Sequence, residues 1–509
     1  MTEKPPAFNR ITKSFRNVPC YWLATVAMVG GLVPQTSVGK TPLYRVDDLS
    51  GIAAFPGSHG LAINDFGQVA GRTDGHGAWL WDEDAGATGF DEPGTQHLQP
   101  IDVNNLGVIT GRTTRVPRVL RGFIWRRETG LHEFAPPEGN FAVEPQAVND
   151  FGQVVGYYYG PGRHTAFQYV QDNYTYLGGK LPYVNSLGDV TQTGLMVGNW
   201  ARSTNQVTQR MGYLLDSNLN LWLFEPPSPS QETALTSANL SGLAVGVISF
   251  GGTRPVFWRP DIGYEYISLP FGKFAAASVA LNDHNDVLLR ISDTYRVVVT
   301  RHDLGPIYVD EHLDGSGAGW DFSWGQSDMN NKGQIVGTGS KDGQGRAFLI
   351  SPISTVFPAT RLRVLNGRLL AGSVADLAER DGRGVKIGSF PTPNQPQPAV
   401  SWEVEATLPS KPVYLWLKTY ARTDQAMATE QTLGLWRPAH DDYPDHGRFA
   451  MPLGQEWTRR ETVARGGVAG LVADDGTVRA RVTVRPTAPT ATPFWAVEHD
   501  QVVFEAVLR

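Results

Sequence analysis

A single cysteine among 509 residues, Cys20, excludes an internal disulfide framework and any cysteine-built zinc site. The formal net charge is only -6, and no basic run is interleaved with aromatics, which argues against a nucleic-acid partner. The weakly apolar stretch Cys20 to Pro34 is too short for a comfortable bilayer span, so no membrane span is expected in a mature chain. There is no Gly-x-Ser-x-Gly elbow, phosphate-binding loop, His-Glu-x-x-His pair or dinucleotide fingerprint. No cofactor and no catalytic residue is therefore assigned. Paired carboxylates for glycoside chemistry need only meet in space, so sequence spacing does not test them.

What the chain does have is glycine (56), proline (35) and little charge, the composition of many short strands and turns. It also has a repeat. Asn149-Asp150-Phe151-Gly152-Gln153-Val154-Val155-Gly156 is followed by Ala166-Phe167. Asn64 to Gly71 leads to Ala78-Trp79-Leu80-Trp81, and Asn104 to Gly111 leads to Gly122-Phe123-Ile124-Trp125. Further copies start at Thr191, Asn239, Asn282 and Asn330. Spacings run from 40 residues (Asn64 to Asn104) to 48 (Asn282 to Asn330). Asn-Asp-x-Gly reads as a β-turn whose glycine takes positive φ. In the worn sixth copy Asn285, the best non-glycine substitute, holds that place, and Leu289 replaces the second glycine. The valines that follow start a buried strand, and the second glycine suits close backbone packing or a bulge. A helical repeat fails, because turns fall inside the unit and the apolar runs are too short.

Six units end in a short aromatic strand, such as Leu131 to Phe134 or Leu221 to Phe224, but the seventh stops at Ile350-Ser351-Pro352. An orphan strand, Leu43 to Leu49, precedes the first unit. The count predicts a seven-bladed β-propeller over residues 40–353, closed by its N-terminal strand, in an all-β chain. An open solenoid would need capping repeats, and none is seen. At these residues the chain resembles the HAF-repeat family of predicted extracellular bacterial proteins, over about residues 41–353. The resemblance implies export and transfers no catalytic residues.

Lys4, Arg10, Lys13 and Arg16 precede the apolar stretch, and Ser37-Val38-Gly39 follows it. Residues 1–39 read as a secretory signal or, alternatively, a disordered N-terminus. Cys20 precedes most of the apolar run and is poorly placed for lipid attachment. Cleavage near Lys40 would leave a cysteine-free chain suited to a secreted or cell-envelope location.

Residues 360–509 contain no copy of the unit. Nine strand-like runs, among them Val400-Leu408, Val413-Tyr420, Phe494-Val497 and Gln501-Val507, predict an antiparallel β-sandwich. Val478 to Val484 alternates with Arg479, Arg481 and Arg485, which predicts a half-buried strand with a basic outer face. Pro391 to Pro398 reads as a loop within this domain.

Candidate chemistry is sparse. Tyr157, Tyr158 and Tyr159 with His164 and Trp200 could stack on sugar rings or simply pack. His76, Arg121, His164, Arg210, Arg254, Arg296 and Arg346 recur just before the third strand of each unit. They either ring one face for an anionic glycan or serve their own units. His440, Asp441, Asp442, Asp445 and His446 are the densest set of metal-ligand types, against the reading of a solvated surface loop. Asp310, Glu311, Asp314 and Asp321 lack calcium-loop spacing. No metal is assigned from either set. Three functional readings follow: an exported non-enzymatic binder of a glycan or surface protein; a glycoside hydrolase or polysaccharide lyase; and a spacer without ligand.

Overall fold

Each copy of the turn motif joins the first two strands of an antiparallel sheet. In unit 3 these are Ala142–Val148 and Val154–Gly160, followed by Arg163–Val170 and Asn173–Tyr176. The structure, a computed structural model, describes residues 43–508 except 53–56, 75–76, 92–94, 116–118, 137–139, 161–162, 178–183, 205–206, 270–275, 292–296, 302–303, 324, 391–398, 445–449 and 489–493. The N-terminal segment 1–39, His76, Arg296, the 391–398 loop, Asp445 and His446 lie outside the described residues. Thr41–Arg509 form one compact unit. Among the described residues, no helix is long and apolar enough to cross a membrane.

The turn glycine has positive φ in six units, from 71° at Gly333 to 82° at Gly67, and Asn285 takes 67° in the sixth. The second glycine answers a bulge. In every unit the first strand slips register opposite that residue, as at Pro145/Ala147 against Gly156. A Cβ on Gly156 would stand 2.2 Å from Glu144 O. In most units the glycine also seats an aromatic from the third strand: Gly71 faces Trp79, Gly111 faces Phe123 and Gly198 faces Tyr213. Unit 6 exchanges the sizes, pairing Leu289 with Val298, so the volume is kept although the motif is lost.

The sheets bury their faces against one another. Seven apolar clusters are each shared by two consecutive units, such as Val108, Ile124 and Phe134 of unit 2 with Val143, Val154 and Phe167 of unit 3. One of them joins the seventh unit to the first, where Val336, Ala347 and Leu349 meet Ile63, Val69 and Trp79. Tyr44–Asp48 pairs antiparallel with the last repeat strand, Gln344–Pro352, from Tyr44↔Pro352 to Asp48↔Phe348. Arg346 clamps this join through Asp48 at 2.7 Å.

Two further sheets, of six and five strands, follow. One large apolar cluster draws on both, including Trp402, Val404, Leu415, Leu433, Val482 and Phe504. Phe494-Val497 and Gln501-Val507 are not two strands: Ala496–Leu508 runs through both. His499 and Asp500, which read as a break, are buried within it. His499 packs its ring 4.6 Å from Trp402, and burial pushes its pKa down to about 3. Asp500 accepts the Gly382 N–H at 2.9 Å. The basic outer face of Thr477–Pro486 is neutralised, with Arg479 on Glu405, Arg481 on Glu403 and Arg485 on Glu430.

Candidate functional site

Three places gather functional side chains: the inner rim of the ring, its junction with the C-terminal region, and the opposite end.

The inner rim is a circle of side-chain hydrogen bonds. The first asparagine of each turn folds its own turn through Oδ1 and reaches the next unit through Nδ2. Asn64 Nδ2 donates to Asn104 O at 2.8 Å, Asn104 to Asn149 O at 2.9 Å, and Asn330 back to Asn64 O at 2.8 Å. The second motif residue works in the opposite sense, accepting the N–H of the preceding unit. Asp150 Oδ1 receives Asn105 N–H at 2.7 Å, and Asp65 Oδ1 receives Asn331 N–H at 3.1 Å. Thr191 has no amide to offer unit 5. That seam is held instead by Asn199, which bonds Leu235 N and O, both at 2.9 Å.

Asp102, Asp189 and Asp328 occupy one position, just after the bulge in units 2, 4 and 7. Each accepts a backbone N–H from the following unit: Val148 at 2.7 Å, Ala238 at 3.2 Å and Ile63 at 3.0 Å. Ser237 Oγ adds a second bond to Asp189 at 2.8 Å. The three line an axial cavity of about 180 Å³. Burial pushes Asp102 up to about 7, and burial together with Asp102's charge pushes Asp328 up to about 8. Asp189 is raised by burial as well. Sequence reading missed them, although Asp-x-Asn or Asp-x-Thr marks all three.

The C-terminal region closes one end of that cavity. Arg465, its side chain 4% exposed, stands 2.6 Å from Asp65 and 4.0 Å from both Asp150 and Asp283. Burial alone would raise Asp65, but Arg465 and bonds from Asn331 and Asn105 hold it below the usual carboxylate range. Burial keeps Asp150 and Asp283 above it. Lys332 bonds Glu461, and Tyr414 donates to Asp286 at 2.7 Å. Arg459 reaches Glu83 at 3.0 Å and Phe66 O at 3.1 Å, and Arg380 reaches Asp84 at 2.8 Å. These ring residues all lie in turns joining first to second or third to fourth strands. In antiparallel sheets such turns share one end, so the C-terminal region covers the turn end of the ring.

The hairpins joining second to third strands point the other way. On the hairpin of unit 3, Tyr157 and Tyr159 meet His164. The Tyr157 ring lies nearly parallel to His164 at 5.6 Å, and Tyr159 meets His164 edge-on at 4.3 Å. The 64% exposed Phe141 donates its N–H to Tyr159 O. Beside Tyr157, Arg112 grips both oxygens of buried Glu144 at 2.8 Å. Burial and Tyr159 raise the Tyr157 phenol well above its ordinary pKa. Tyr158 points to the other face and meets Tyr176 at 5.7 Å, while Trp200 is buried in the core shared by units 3 and 4.

The recurring basic residues are used singly: Arg346 on Asp48, Arg254 over the Tyr266 ring, and His164 on the tyrosines. Arg121 is half-buried and Arg210 exposed. Asp442 is taken by Arg437 at 2.5 Å, and Asp441 accepts from Trp436; His440 is exposed. Asp314 caps the 3-10 turn Gly315–Gly317, and Asp321 accepts Ser323 N–H, while Asp310 and Glu311 sit on the turn Val309–His312. Among the described residues no group of three or more His, Cys, Asp or Glu is arranged to hold a metal.

No family model matches the chain, and no curated protein matches it. The chain is also similar, at TM-scores under 0.5, to several solved structures. A streptogramin B lyase has TM-score 0.43 and 11% identity, over 61% of this chain and 98% of that one. YCF48 bound to D1 peptide has TM-score 0.37 and 11% identity, over 61% and 96%. TolB from Acinetobacter baumannii has TM-score 0.33 and 11% identity, over 56% and 79%.

Proposed function

We propose that this is an exported, non-enzymatic binding protein of the HAF-repeat kind. Its ring is a seven-bladed β-propeller closed by the N-terminal strand, and its C-terminal region is a β-sandwich that caps one end. The seven shared apolar clusters and the circle of asparagine bonds support the blade count. The basic, apolar and small-residue order of residues 1–39 supports export.

One observation carries the binding reading. The cap occupies the turn end, so recognition falls to the hairpin end, where Tyr157, Tyr159, His164 and Phe141 cluster beside the Arg112–Glu144 pair. Flat rings with polar edges suit the apolar faces and hydroxyls of a glycan. The buried carboxylates that an acid–base mechanism would use are instead engaged with neighbouring backbone N–H groups or with Arg465. A glycan array probed with the secreted protein tests this reading. Binding should fall at least tenfold in Tyr157→Ala/Tyr159→Ala with little change in melting temperature. An array without signal would overturn the glycan assignment, and undiminished binding by the variant would move the site off unit 3.

A further inference from the structure

A second cleft lies where the cap meets units 1 and 7. Its volume is about 310 Å³, within the range of small-ligand sites, which favour domain junctions. Two indoles stand in its walls, Trp81 from unit 1 and Trp416 from the cap. Its four cationic and four acidic side chains balance, which suits neither a phosphate nor a polycation.

Most of these polar groups already have partners. Lys418 sits 2.7 Å from Glu505, which also accepts the Trp416 indole N–H at 3.2 Å. Glu83 holds Arg459 at 3.0 Å. Two groups do not. The Asp47 carboxylate, 44% exposed, meets only Arg45, at 3.6 Å, beyond hydrogen-bond distance. Partial burial raises its pKa, as expected of a carboxylate short of donors. The Trp81 indole N–H has no acceptor among the described residues. A carboxylate without a hydrogen bond, with Arg45 beside it, and an indole whose N–H has no acceptor therefore line one electrically balanced cleft.

We propose that this junctional cleft is a binding site for a short neutral saccharide, with Asp47 accepting from ring hydroxyls and Trp81 supplying its ring and N–H. Hydroxyl pairs fill a carboxylate's lone pairs without adding charge, and the apolar face of a pyranose matches an indole. The site is separate from the hairpin end of unit 3, and either can exist without the other.

The test uses the full chain with glucose, galactose, mannose, maltose, lactose and cellobiose, followed by saturation-transfer NMR and calorimetry. At least one sugar should bind. Asp47→Asn should weaken it at least tenfold, as loss of a hydrogen bond to a charged group does. Trp81→Phe, which keeps a ring but deletes the N–H, should weaken it severalfold. Binding at the cleft should persist in a Tyr157→Ala background, in which the unit 3 platform is removed and only the junctional site is read. Asp47 has no close partner to lose, so its variant should melt like the parent. Absence of binding to all six sugars would overturn the proposal. So would binding unaffected by Asp47→Asn, binding lost in Tyr157→Ala, or glycine and alanine competing the sugar out of the cleft.

Discussion

The ring and its cap are both antiparallel β, yet they hide their polar groups in opposite ways. The cap encloses one apolar core between two sheets, sets ion pairs such as Arg479–Glu405 and Arg485–Glu430 on its outer faces, and buries a few polar groups such as His499 and Asp500. The ring distributes its apolar contacts over seven small clusters and turns amides and carboxylates inward. In the cap, one continuous apolar core carries most of the packing. In the ring, directional bonds fix the register between neighbours, because each unit must meet the next at one angle. The two schemes meet at Arg465, a charge from the cap placed among carboxylates of the ring.

Breaking that meeting point should have the largest effect. Arg465→Ala leaves Asp65 without its cation, with Asp150 and Asp283 close by. Removing one partner of a buried pair costs about 3–5 kcal/mol. Calorimetry should then resolve two transitions, ring before cap. One unshifted transition would show that Arg465 does not couple them.

The next effect is confined to the ring. Asp102 and Asp328 have raised pKa values in the folded protein, about 7 and about 8, so folding takes up protons that the unfolded chain has already released. Their stabilisation is fully present below about pH 4 and is lost as pH rises through 7 and 8. The slope is about 1.4 kcal/mol per pH unit for each group. Asp328→Asn should flatten the fall in ring stability between pH 5 and 8, read from denaturant melts. An unaltered pH profile would mean that the axial carboxylate does not titrate there.

A smaller test compares one turn position in two units. Gly152 and Gly333 have nearly equal φ, 74° and 71°. A Cβ on Gly152 meets nothing within 4 Å, whereas on Gly333 it would stand 2.5 Å from the Tyr414 ring of the cap. Gly152→Ala should cost about 1–3 kcal/mol from backbone strain alone. Gly333→Ala should cost more, and Tyr414→Leu should erase part of the excess. Equal losses would argue that the cap yields without cost at that turn.

The same contrast explains what could be read in advance. The turns, the positive-φ glycines, the outer strands and the partner of Leu43 to Leu49 follow from a local signal repeated seven times, where noise in one copy is corrected by the others. Leu289 looked like decay in isolation, and only its neighbour Val298 shows that bulk had moved between strands. Asp102, Asp189 and Asp328 were passed over because three of seven units carry them, and their bonds cross between units. Arg465 occurs once, in a loop before Gly466-Gly467, and nothing local distinguishes it from a solvated arginine. His499-Asp500 misled in the opposite direction. Three polar residues in a row, Glu498-His499-Asp500, read as a break, yet Trp402, Gln431 and Gly382 partner His499 and Asp500 inside a strand. Of the candidate sugar platform, Tyr157, Tyr159 and His164 come together, whereas strand alternation sends Tyr158 to the opposite face and burial removes Trp200.

The pairing of Tyr44–Asp48 with Gln344–Pro352 sets an order of assembly. Every other sheet of the ring can form as its own hairpins leave the ribosome or a translocation pore. The clasp must wait until some 300 intervening residues are made, a loop whose closure entropy is on the order of 5 kcal/mol. Until then the strand ending in Phe348, Leu349 and Ile350 has an open edge, the kind that invites pairing with another nascent chain. Among the described strands of the ring, the one made first is thus the last to be paired, and the interval between the two leaves the ring most exposed to misassembly.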